Sequence, residues 1–574
     1  MRNFEWIRLN RTGFVILVGV SIIVMGLWAS NHLQKAKRRL MADELGNVGD
    51  IWGLPKANQA NTKFAFAQRS ENGLGLYECS LERPPRMVTE TWQGTFNPAI
   101  FRVLDWTPDG QSLACTCDGR MRTYDPESRE STDEIIIGGG LVNFAWLSPT
   151  RIAAFDQLKL YDVVLVNHHW QKRLCYLATN AHSITSGMAL SDHSFVWRRD
   201  NEIWLYDFTT ALATKLWGKE NHRLIDFSFS ERHQRIYVNC GTNGGSLYAS
   251  ITRSTNTEFE PVAKIGRSDQ YILKVSRLNE GYSYLASNTQ EQDIRPASPA
   301  KNKTLYVLKN PQAEPVRLLG EREVVDYGVS GNSLLIIGSM TNEPCGIWVY
   351  DFSSATLKNV WCPLGSPKYS TLVTPEYHTI TNGDRGQLHY YLWPPVKRRA
   401  AGKNPLMICQ SNYRWMAEAQ VAANSGCYFA MAERPTFHSG EMNSWPSDVS
   451  AVYEEIVKSG MINTNRVYLF GTSAETGYVN ELLSENPQTW KGAFLEGGTG
   501  PKSSASSDHP PELAVILGNH DEFNPLKSII AYKEAAAKNG LAVKVVIRRG
   551  VHTALASSTQ REIARLLADF LHDN

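Results

Sequence analysis

The most informative part of this sequence is the stretch Arg466-Val-Tyr-Leu-Phe-Gly-Thr-Ser473-Ala-Glu-Thr-Gly-Tyr-Val-Asn-Glu-Leu-Leu483. The β-branched and aromatic run Val467 to Phe470 predicts a buried strand, and Ala474 to Leu483 predicts a helix. Ser473 then lies on the turn between them. A nucleophile elbow places its serine at such a turn and directs the N-terminus of the helix at the oxyanion. A serine in a strand-to-helix turn is also a common helix cap, so this stretch alone leaves both interpretations open.

Two residues downstream complete a possible catalytic set with Ser473. Asp521 follows a predicted strand, Leu513 to Leu517, and His552 follows another, Ala542 to Arg548. The order Ser, Asp, His is the one that α/β-hydrolases use. Taken singly, Asp521 is equally well a helix cap and His552 an ordinary loop histidine. Three such residues after three strand ends predict a hydrolase sheet with Ser473, Asp521 and His552 as its triad.

Composition restricts the classes of protein to consider. The chain has 574 residues, 42% of them hydrophobic and 20% charged, which is ordinary for a globular protein of more than one domain. A net charge of +2 indicates no polyanionic partner such as nucleic acid. Nine cysteines without a Cys-x-x-Cys pair indicate neither a zinc site nor a full disulfide framework. No metal or other cofactor is predicted.

An apolar segment follows a short N-terminal tail, residues 1–12. Residues 13–29 are almost wholly apolar, close to the lower limit of the ~17–25 residues that span a bilayer. We interpret them as a single membrane anchor. A cleaved signal peptide and a buried soluble helix are the alternatives. Basic residues flank both ends of the span, so the orientation is nearly balanced, and an extracytoplasmic body is favoured only because a short tail is more simply left inside.

A repeated phrase indicates a β-propeller over residues 61–365, after a linker at 30–60. Short aromatic and β-branched runs end in a tyrosine that aspartate often follows. Successive tyrosines are 47, 37, 45, 42, 58 and 44 residues apart, close to the roughly 40–50 residues of a four-stranded blade. About seven blades are therefore predicted, with an irregular β-sandwich as the alternative. The tyrosines are Tyr77, Tyr124, Tyr161, Tyr206, Tyr248, Tyr306 and Tyr350.

Residues 366–574 form the second predicted domain. Predicted strands alternate with predicted helices from a hairpin at 379–394 to a last helix that begins near Thr559. This alternation is typical of an α/β sheet covered by helices on both faces. The fold class is therefore an N-terminal transmembrane helix, a β-propeller and a C-terminal α/β-hydrolase domain.

With an anchor, a propeller and the segment Lys458-Ser-Gly-Met-Ile-Asn-Thr-Asn-Arg-Val467 before its serine, the chain resembles the prolyl oligopeptidase family. That resemblance implies a serine peptidase with Ser473, Asp521 and His552 as its triad. It also implies a propeller that admits only short or unstructured peptides to the site. The anchor is similar to that of the membrane-bound dipeptidyl peptidases in topology only.

Two segments depart from the family pattern. The family elbow is Gly-x-Ser-x-Gly-Gly, whereas this chain has Gly471-Thr-Ser-Ala-Glu-Thr476. A glycine-rich segment usually follows the first hydrolase strand, and Gln410-Ser-Asn-Tyr413 stands there instead. We expect the N–H of Ala474 to supply one oxyanion donor, and Tyr413 or a backbone amide near Gln410 to supply the second. These departures leave two alternatives to a peptidase, an inactive scaffold that binds a peptide or partner protein, and an esterase. The oligomeric state stays open.

Overall fold

The chain is described here from a computed structural model that covers a helix at 34–45 and most of residues 51–573. Within that span the described residues exclude 46–50, 58–62, 70–73, 81–82, 84, 92–103, 118–119, 129–134, 138–142, 157, 167–168, 179–183, 219–222, 231–234, 243–244, 252–259, 266–270, 279–280, 288–302, 311–312, 321, 331, 341, 363–366, 382–386, 412–415, 434–444, 502–509, 520, 522–523, 542 and 549–556.

The first part of the chain is a β-propeller, as predicted. Its described residues form seven four-stranded antiparallel sheets, each built from four consecutive strands. The first four sheets contain β1 Ile51–Ala57, β2 Phe64–Arg69, β3 Leu74–Cys79 and β4 Arg86–Thr91; β5 Leu104–Trp106, β6 Leu113–Cys117, β7 Arg120–Tyr124 and β8 Ile135–Ile136; β9 Asn143–Ser148, β10 Arg151–Phe155, β11 Lys159–Val166 and β12 His169–Leu177; β13 Ile184–Ser191, β14 Ser194–Arg199, β15 Glu202–Asp207 and β16 Leu212–Gly218. The other three contain β17 Arg223–Ser230, β18 Arg235–Thr242, β19 Gly245–Ile251 and β20 Glu260–Ile265; β21 Tyr271–Arg277, β22 Tyr282–Ser287, β23 Thr304–Leu308 and β24 Val316–Arg317; β25 Glu323–Ser330, β26 Ser333–Met340, β27 Glu343–Asp351 and β28 Thr356–Trp361.

The ring of sheets closes through side chains. Phe64 and Phe66 of the first sheet lie in one apolar cluster with Ile347 and Val349 of the last sheet. The ring centroid of Phe66 is 5.5 Å from that of Trp361, the final residue of β28. In the described residues the first and last sheets share no strand. Apolar side chains therefore hold these two sheets together and close the propeller ring.

The repeated tyrosine phrase has a structural explanation. Each of the seven tyrosines lies on the third strand of its sheet, and those at 124, 161, 206 and 350 are buried. The aspartates at 125, 207 and 351 accept hydrogen bonds from backbone N–H groups two or three residues on. Such bonds close the turn after the strand. At these three positions the tyrosine packs beside its sheet and the aspartate fixes the turn, whereas Asp162 lies within β11 and pairs with Arg151 and Arg173.

The second part of the chain is an eight-stranded sheet with helices. Its strand order is β29-β30-β32-β31-β33-β34-β35-β36. The first two strands form the predicted hairpin, and the strands from β32 to β36 run parallel. The strands are β29 Glu376–Thr381, β30 Gln387–Trp393, β31 Asn404–Ser411, β32 Tyr428–Glu433, β33 Ile462–Thr472, β34 Gly492–Glu496, β35 Glu512–Gly518 and β36 Val543–Arg548. The helices are α2 Ala417–Asn424, α3 Trp445–Lys458, α4 Thr476–Glu485, α5 Leu526–Lys538 and α6 Ser557–Asp573.

Apolar residues cover both faces of this sheet. Along β33, Val467 and Leu469 lie in one core cluster, whereas Tyr468 and Phe470 lie in the other. Successive side chains of a strand point to opposite faces, so a run of four apolar residues fits a strand that is buried on both sides. This burial explains why the run could be recognised in the sequence.

The segment predicted to be a linker, residues 30–60, contains a helix and the first strand of the propeller. Residues 34–45 form a helix, α1, and β1 begins at Ile51. Met41, Ala42 and Leu45 of α1 are buried in the same cluster as Leu567 of α6. These three residues give a polar and basic segment a short apolar face, which local sequence patterns did not reveal because its cluster includes the distant C-terminal helix.

Two acidic residues fix α1 to the second domain. Asp43 accepts a bidentate ion pair from the guanidinium of Arg565 on α6. The Glu44 carboxylate accepts hydrogen bonds from the backbone N–H groups of Lys368, Tyr369 and Ser370. Since residues 367–375 lead from the propeller to β29, Glu44 holds this connection against α1.

The predicted membrane anchor, residues 13–29, lies outside the described residues. Among those that are described, no helix is both long and apolar enough to cross a bilayer.

We predict that Glu44→Gln lowers the free energy of unfolding by about 1–3 kcal/mol at pH 7, because hydrogen bonds to a charged acceptor are replaced by weaker ones. Burial raises the pKa of Glu44, but its bonds to Lys368, Ser370 and Tyr369 outweigh burial and hold the pKa below the ordinary value of 4.5. The stabilisation is therefore complete above pH 4.5 and is lost as the pH falls through the lowered folded-state pKa.

Urea unfolding of the wild type and Glu44→Gln at several pH values measures this effect. The exposed Glu454 on α3 supplies the control, Glu454→Gln, which should leave the unfolding midpoint unchanged. Equal midpoints for the wild type and Glu44→Gln at pH 7 would contradict the role of Glu44.

Candidate active site

Ser473 occupies a strained turn between β33 and α4. A single 3-10 turn, Ser473–Glu475, connects the strand to the helix. The backbone of Ser473 has φ 54°, in the left-handed region that non-glycine residues rarely adopt. Such strain persists only where the surrounding structure imposes it, and it is characteristic of nucleophile elbows. The predicted strand, turn and helix are therefore present, with the serine at the sharp point.

Gly471 allows the turn to approach the helix. A Cβ at this position would lie 2.9 Å from Cγ2 of Val479 and 3.3 Å from the carbonyl oxygen of Glu475. The second contact is with backbone, which cannot move without opening the turn. Glycine is thus required here by close approach.

Glu475 stands where the family pattern has a small residue, and the turn closes around it. Its backbone has φ −66° and ψ −20°, ordinary helical values that any residue adopts. Its Oε2 accepts a hydrogen bond of 3.3 Å from the backbone N–H of Thr472. The carboxylate therefore caps the first turn of the elbow, and no glycine is needed at this position.

A second position that requires a small residue is Gly498, in the loop that follows β34. Oγ1 of Thr476 donates a hydrogen bond of 2.8 Å to the carbonyl oxygen of Ser473. A Cβ added to Gly498 would lie 2.2 Å from this same Oγ1. Thr476 thus ties the nucleophile to its helix, and Gly498 leaves the space in which it does so.

Asp521 lies directly after β35, in the loop that leads to α5. It is only 4% exposed. The backbone N–H of Asn524 donates to its Oδ1 at 2.8 Å, and Nδ2 of Asn524 donates to its Oδ2 at 3.2 Å. Both carboxylate oxygens are therefore held by one residue. Sequence reasoning missed Asn524, although an asparagine before Pro525 is a common turn signal.

Loop 497–500 joins the serine turn to the aspartate loop. Nδ2 of Asn524 also donates to the carbonyl oxygen of Gly497 at 3.2 Å, and Nδ2 of Asn480 on α4 donates to that of Thr499 at 3.0 Å. With the packing of Gly498 against Thr476, these contacts form a continuous connection from Ser473 to Asp521.

The topology of the sheet places Ser473 and Asp521 along one edge. Neighbouring strands β33, β34, β35 and β36 are parallel, so their carboxyl ends lie on the same side. Ser473 follows β33, Asp521 follows β35, and His552 follows β36 in the chain. In open α/β sheets this edge is where ligands bind.

Two of the predicted site residues lie outside the described residues, namely His552 and Tyr413. Ala474, the other predicted oxyanion donor, is exposed in the 3-10 turn. The first N–H groups of a helix have no partner within it, so its position suits a donor to an oxyanion.

Comparison with known proteins gives one clear relationship. No protein family defined by sequence and no curated protein matches the chain. Solved structures do match over both domains. Oligopeptidase B from Leishmania major is 11% identical with a TM-score of 0.68, over 95% of this chain and 90% of that one. The chain has the prolyl oligopeptidase fold.

Other proteins with the prolyl oligopeptidase fold give similar matches. A puromycin hydrolase is 12% identical with a TM-score of 0.67, over 93% of this chain and 96% of that one. Acylaminoacyl peptidase from Pyrococcus horikoshii is 13% identical with a TM-score of 0.58, over 91% of this chain and 95% of that one. Coverage of this extent confirms the prolyl oligopeptidase fold for the propeller and the α/β domain together.

We predict opposite effects for two glycines of this region. Gly498→Ala should destabilise the protein by about 1–3 kcal/mol, because its Cβ would displace Thr476 and with it Ser473. Gly477→Ala is the matched control, since a Cβ at this exposed helical position meets nothing within 4 Å. It should be neutral or stabilising by about 0.5–1 kcal/mol. Thermal unfolding of both variants measures the difference, and equal midpoints would contradict the crowding at Gly498.

Proposed function

We propose that the protein is a serine peptidase that acts on short peptides. The observation that carries this proposal is the φ of 54° at Ser473, on a turn at the carboxyl edge of the sheet. A backbone held in this unfavourable conformation presents the hydroxyl above the sheet, where a substrate carbonyl can be attacked. The buried, doubly hydrogen-bonded carboxylate of Asp521 supports it, because a triad needs an oriented aspartate.

In the proposed mechanism Ser473 is the nucleophile, His552 is the general base and acid, and Asp521 orients the histidine. His552 accepts the proton of Ser473 as Oγ attacks the peptide carbonyl, and Asp521 holds the imidazole in the required tautomer. The imidazolium then donates its proton to the leaving amine, which leaves an acyl-enzyme on Ser473. Water activated by His552 hydrolyses that ester and regenerates the free serine.

The oxyanion of the tetrahedral intermediate needs donors at the same edge. We assign one to the N–H of Ala474 and the second to Tyr413. Removal of one such donor typically lowers turnover by about 10²–10³-fold. Because the carboxylate of Glu475 is engaged with the N–H of Thr472, its negative charge has a local partner beside the nucleophile.

The peptide substrate class rests on the fold. Oligopeptidase B and acylaminoacyl peptidase share the propeller and the α/β domain, and their names state a peptidase activity. We propose that the propeller here restricts the site to short or unstructured peptides. An esterase uses the same triad, so a panel of aryl esters and aminoacyl amides distinguishes the two.

We predict that a fluorophosphonate probe labels the full-length protein at Ser473, and that Ser473→Ala and His552→Ala abolish labelling, since the serine needs its base to react. The exposed Ser484 on α4, whose hydroxyl bonds the carbonyl oxygen of Asn480, supplies the control. Ser484→Ala should label normally.

Mass spectrometry of the labelled peptide locates the adduct, and hydrolysis of short peptides is measured on the same samples. A folded wild type that neither labels nor hydrolyses any peptide or ester would overturn the proposal. That outcome would favour a scaffold, and binding of peptides without turnover would then be the property to measure.

We further propose that residues 13–29 anchor the protein in a membrane with the body on the extracytoplasmic side. The full chain should remain in the membrane pellet after carbonate washing, and a chain that begins at Gln34 should not. Leu17→Arg together with Val20→Arg should also release it, since each arginine costs about 2.5–3.5 kcal/mol at the centre of a span. Release of the wild type would contradict the anchor, and protease protection in sealed vesicles tests the orientation.

A further inference from the structure

The α/β sheet splits at the place where the serine turn begins. The parallel pairing of β31 with β33 ends at Ile408 and Leu469. Beyond it, β31 stays paired with β32 as far as Ser411, and β33 stays paired with β34 as far as Thr472. The two strand ends therefore diverge, each with its own neighbour.

This split is the switch point of the topology. The chain leaves β31 towards β32 on one side and leaves β33 towards β34 on the other. In open α/β sheets the crevice that binds ligand lies outside the strand ends at such a point. The turn of Ser473 extends the end of β33, and β31 ends at Ser411, two residues before Tyr413 in the sequence.

The side chain of Tyr478 bridges the split. Tyr478 on α4 is buried, and its hydroxyl accepts a hydrogen bond of 2.9 Å from the backbone N–H of Gln410 on β31. The same hydroxyl donates a bond of 2.9 Å to the carbonyl oxygen of Phe470 on β33. One oxygen atom thus stands between two strands that would otherwise pair directly or separate.

The bridged strand end carries further polar groups. Gln410 is 2% exposed and Ser411 is 1% exposed. Among the residues that the structure describes, the buried amide oxygen of Gln410 and the buried hydroxyl of Ser411 have no hydrogen-bond partner. An unsatisfied buried polar group costs about 1–3 kcal/mol, so this strand end is not arranged for stability alone. Functional sites are where such groups are expected.

We propose that Tyr478 is a positioning residue for the reaction of Ser473. Its hydroxyl fixes the distance between the strand that ends in the nucleophile and the strand that leads into the segment assigned the second oxyanion donor. An oxyanion hole works only if its donors are held in place before charge develops, so a fixed spacing increases transition-state binding in particular. This inference rests on the proposed function.

The bridge also explains why a tyrosine is required. Phenylalanine fills the same volume but leaves the N–H of Gln410 and the carbonyl of Phe470 without their common partner. The two strand ends can then pair with each other or admit water, and either change shifts the end of β31 relative to Ser473.

The test compares Tyr478→Phe with the wild-type full chain. We expect kcat to fall by about 10–100-fold with KM changed by less than about 3-fold, since the interaction that is lost acts in the transition state. The affinity for a peptide boronic acid, which forms a tetrahedral adduct with the serine, should fall by a similar factor. Tyr453→Phe is the matched control, because this half-buried tyrosine of α3 stacks on Trp490 away from the split. It should change neither value more than about 2-fold.

A second variant keeps the test independent of folding. Incorporation of 3,5-difluorotyrosine at position 478 preserves shape but lets the hydroxyl ionise at lower pH, and an ionised oxygen cannot donate to Phe470. The alkaline limb of its kcat profile should therefore move to lower pH than in the wild type, whereas a residue that only fills space would leave the profile unchanged.

Each outcome is decisive. A folded Tyr478→Phe with wild-type kcat and boronate affinity overturns the positioning role, as does an unshifted pH profile of the fluorinated protein. If the wild type itself neither hydrolyses peptides nor reacts with a fluorophosphonate, the proposed function fails and this role fails with it. An active wild type with an unimpaired Tyr478→Phe overturns the positioning role alone.

Discussion

Burial of the α/β sheet on both faces is the constraint on which the rest of the structure depends. Two apolar clusters enclose β31, β33, β34 and β35, so the faces of these strands have no room for polar chemistry. The polar residues of the candidate site lie instead at the carboxyl edge of the sheet. Ser473, Asp521 and the buried Gln410 each lie at or just beyond the end of a strand.

The same burial separates the candidate nucleophile from a competing thiol. Burial raises the pKa of the Cys409 thiol well above its ordinary value, and the nearby carboxylates of Glu475 and Glu418 raise it further. A protonated buried thiol is inert, since the thiolate is the reactive form. Burial, reinforced by the Glu475 carboxylate that caps the turn of Ser473, therefore keeps the thiol of Cys409 protonated.

Regular patterns could be predicted from the sequence, and contacts between distant segments could not. Four apolar residues before Ser473 indicated a doubly buried strand, and the recurring tyrosines marked one strand in every blade, because both patterns follow from local periodicity. The helix at 34–45 was missed because its apolar face is complete only against α6. Asn524 and Tyr478 were missed because their roles depend on which strand ends meet, which no local pattern encodes. The family pattern predicted a small residue at position 475. In this chain the helix that follows the serine instead approaches a glycine of another loop, Gly498, through Thr476.

The packing of α1 on α6 has a consequence for how the chain is made. Residues 34–45 are synthesised before the propeller, and residues 557–573, which share an apolar cluster with them, are synthesised after it. The propeller between them is complete before the α/β domain can close. Met41, Ala42 and Leu45 therefore reach their full burial only once α6 has been made, late in the synthesis of the α/β domain. Folding thus joins α1 to a helix far away in the sequence, and the Glu44 contact fixes the connection between the domains.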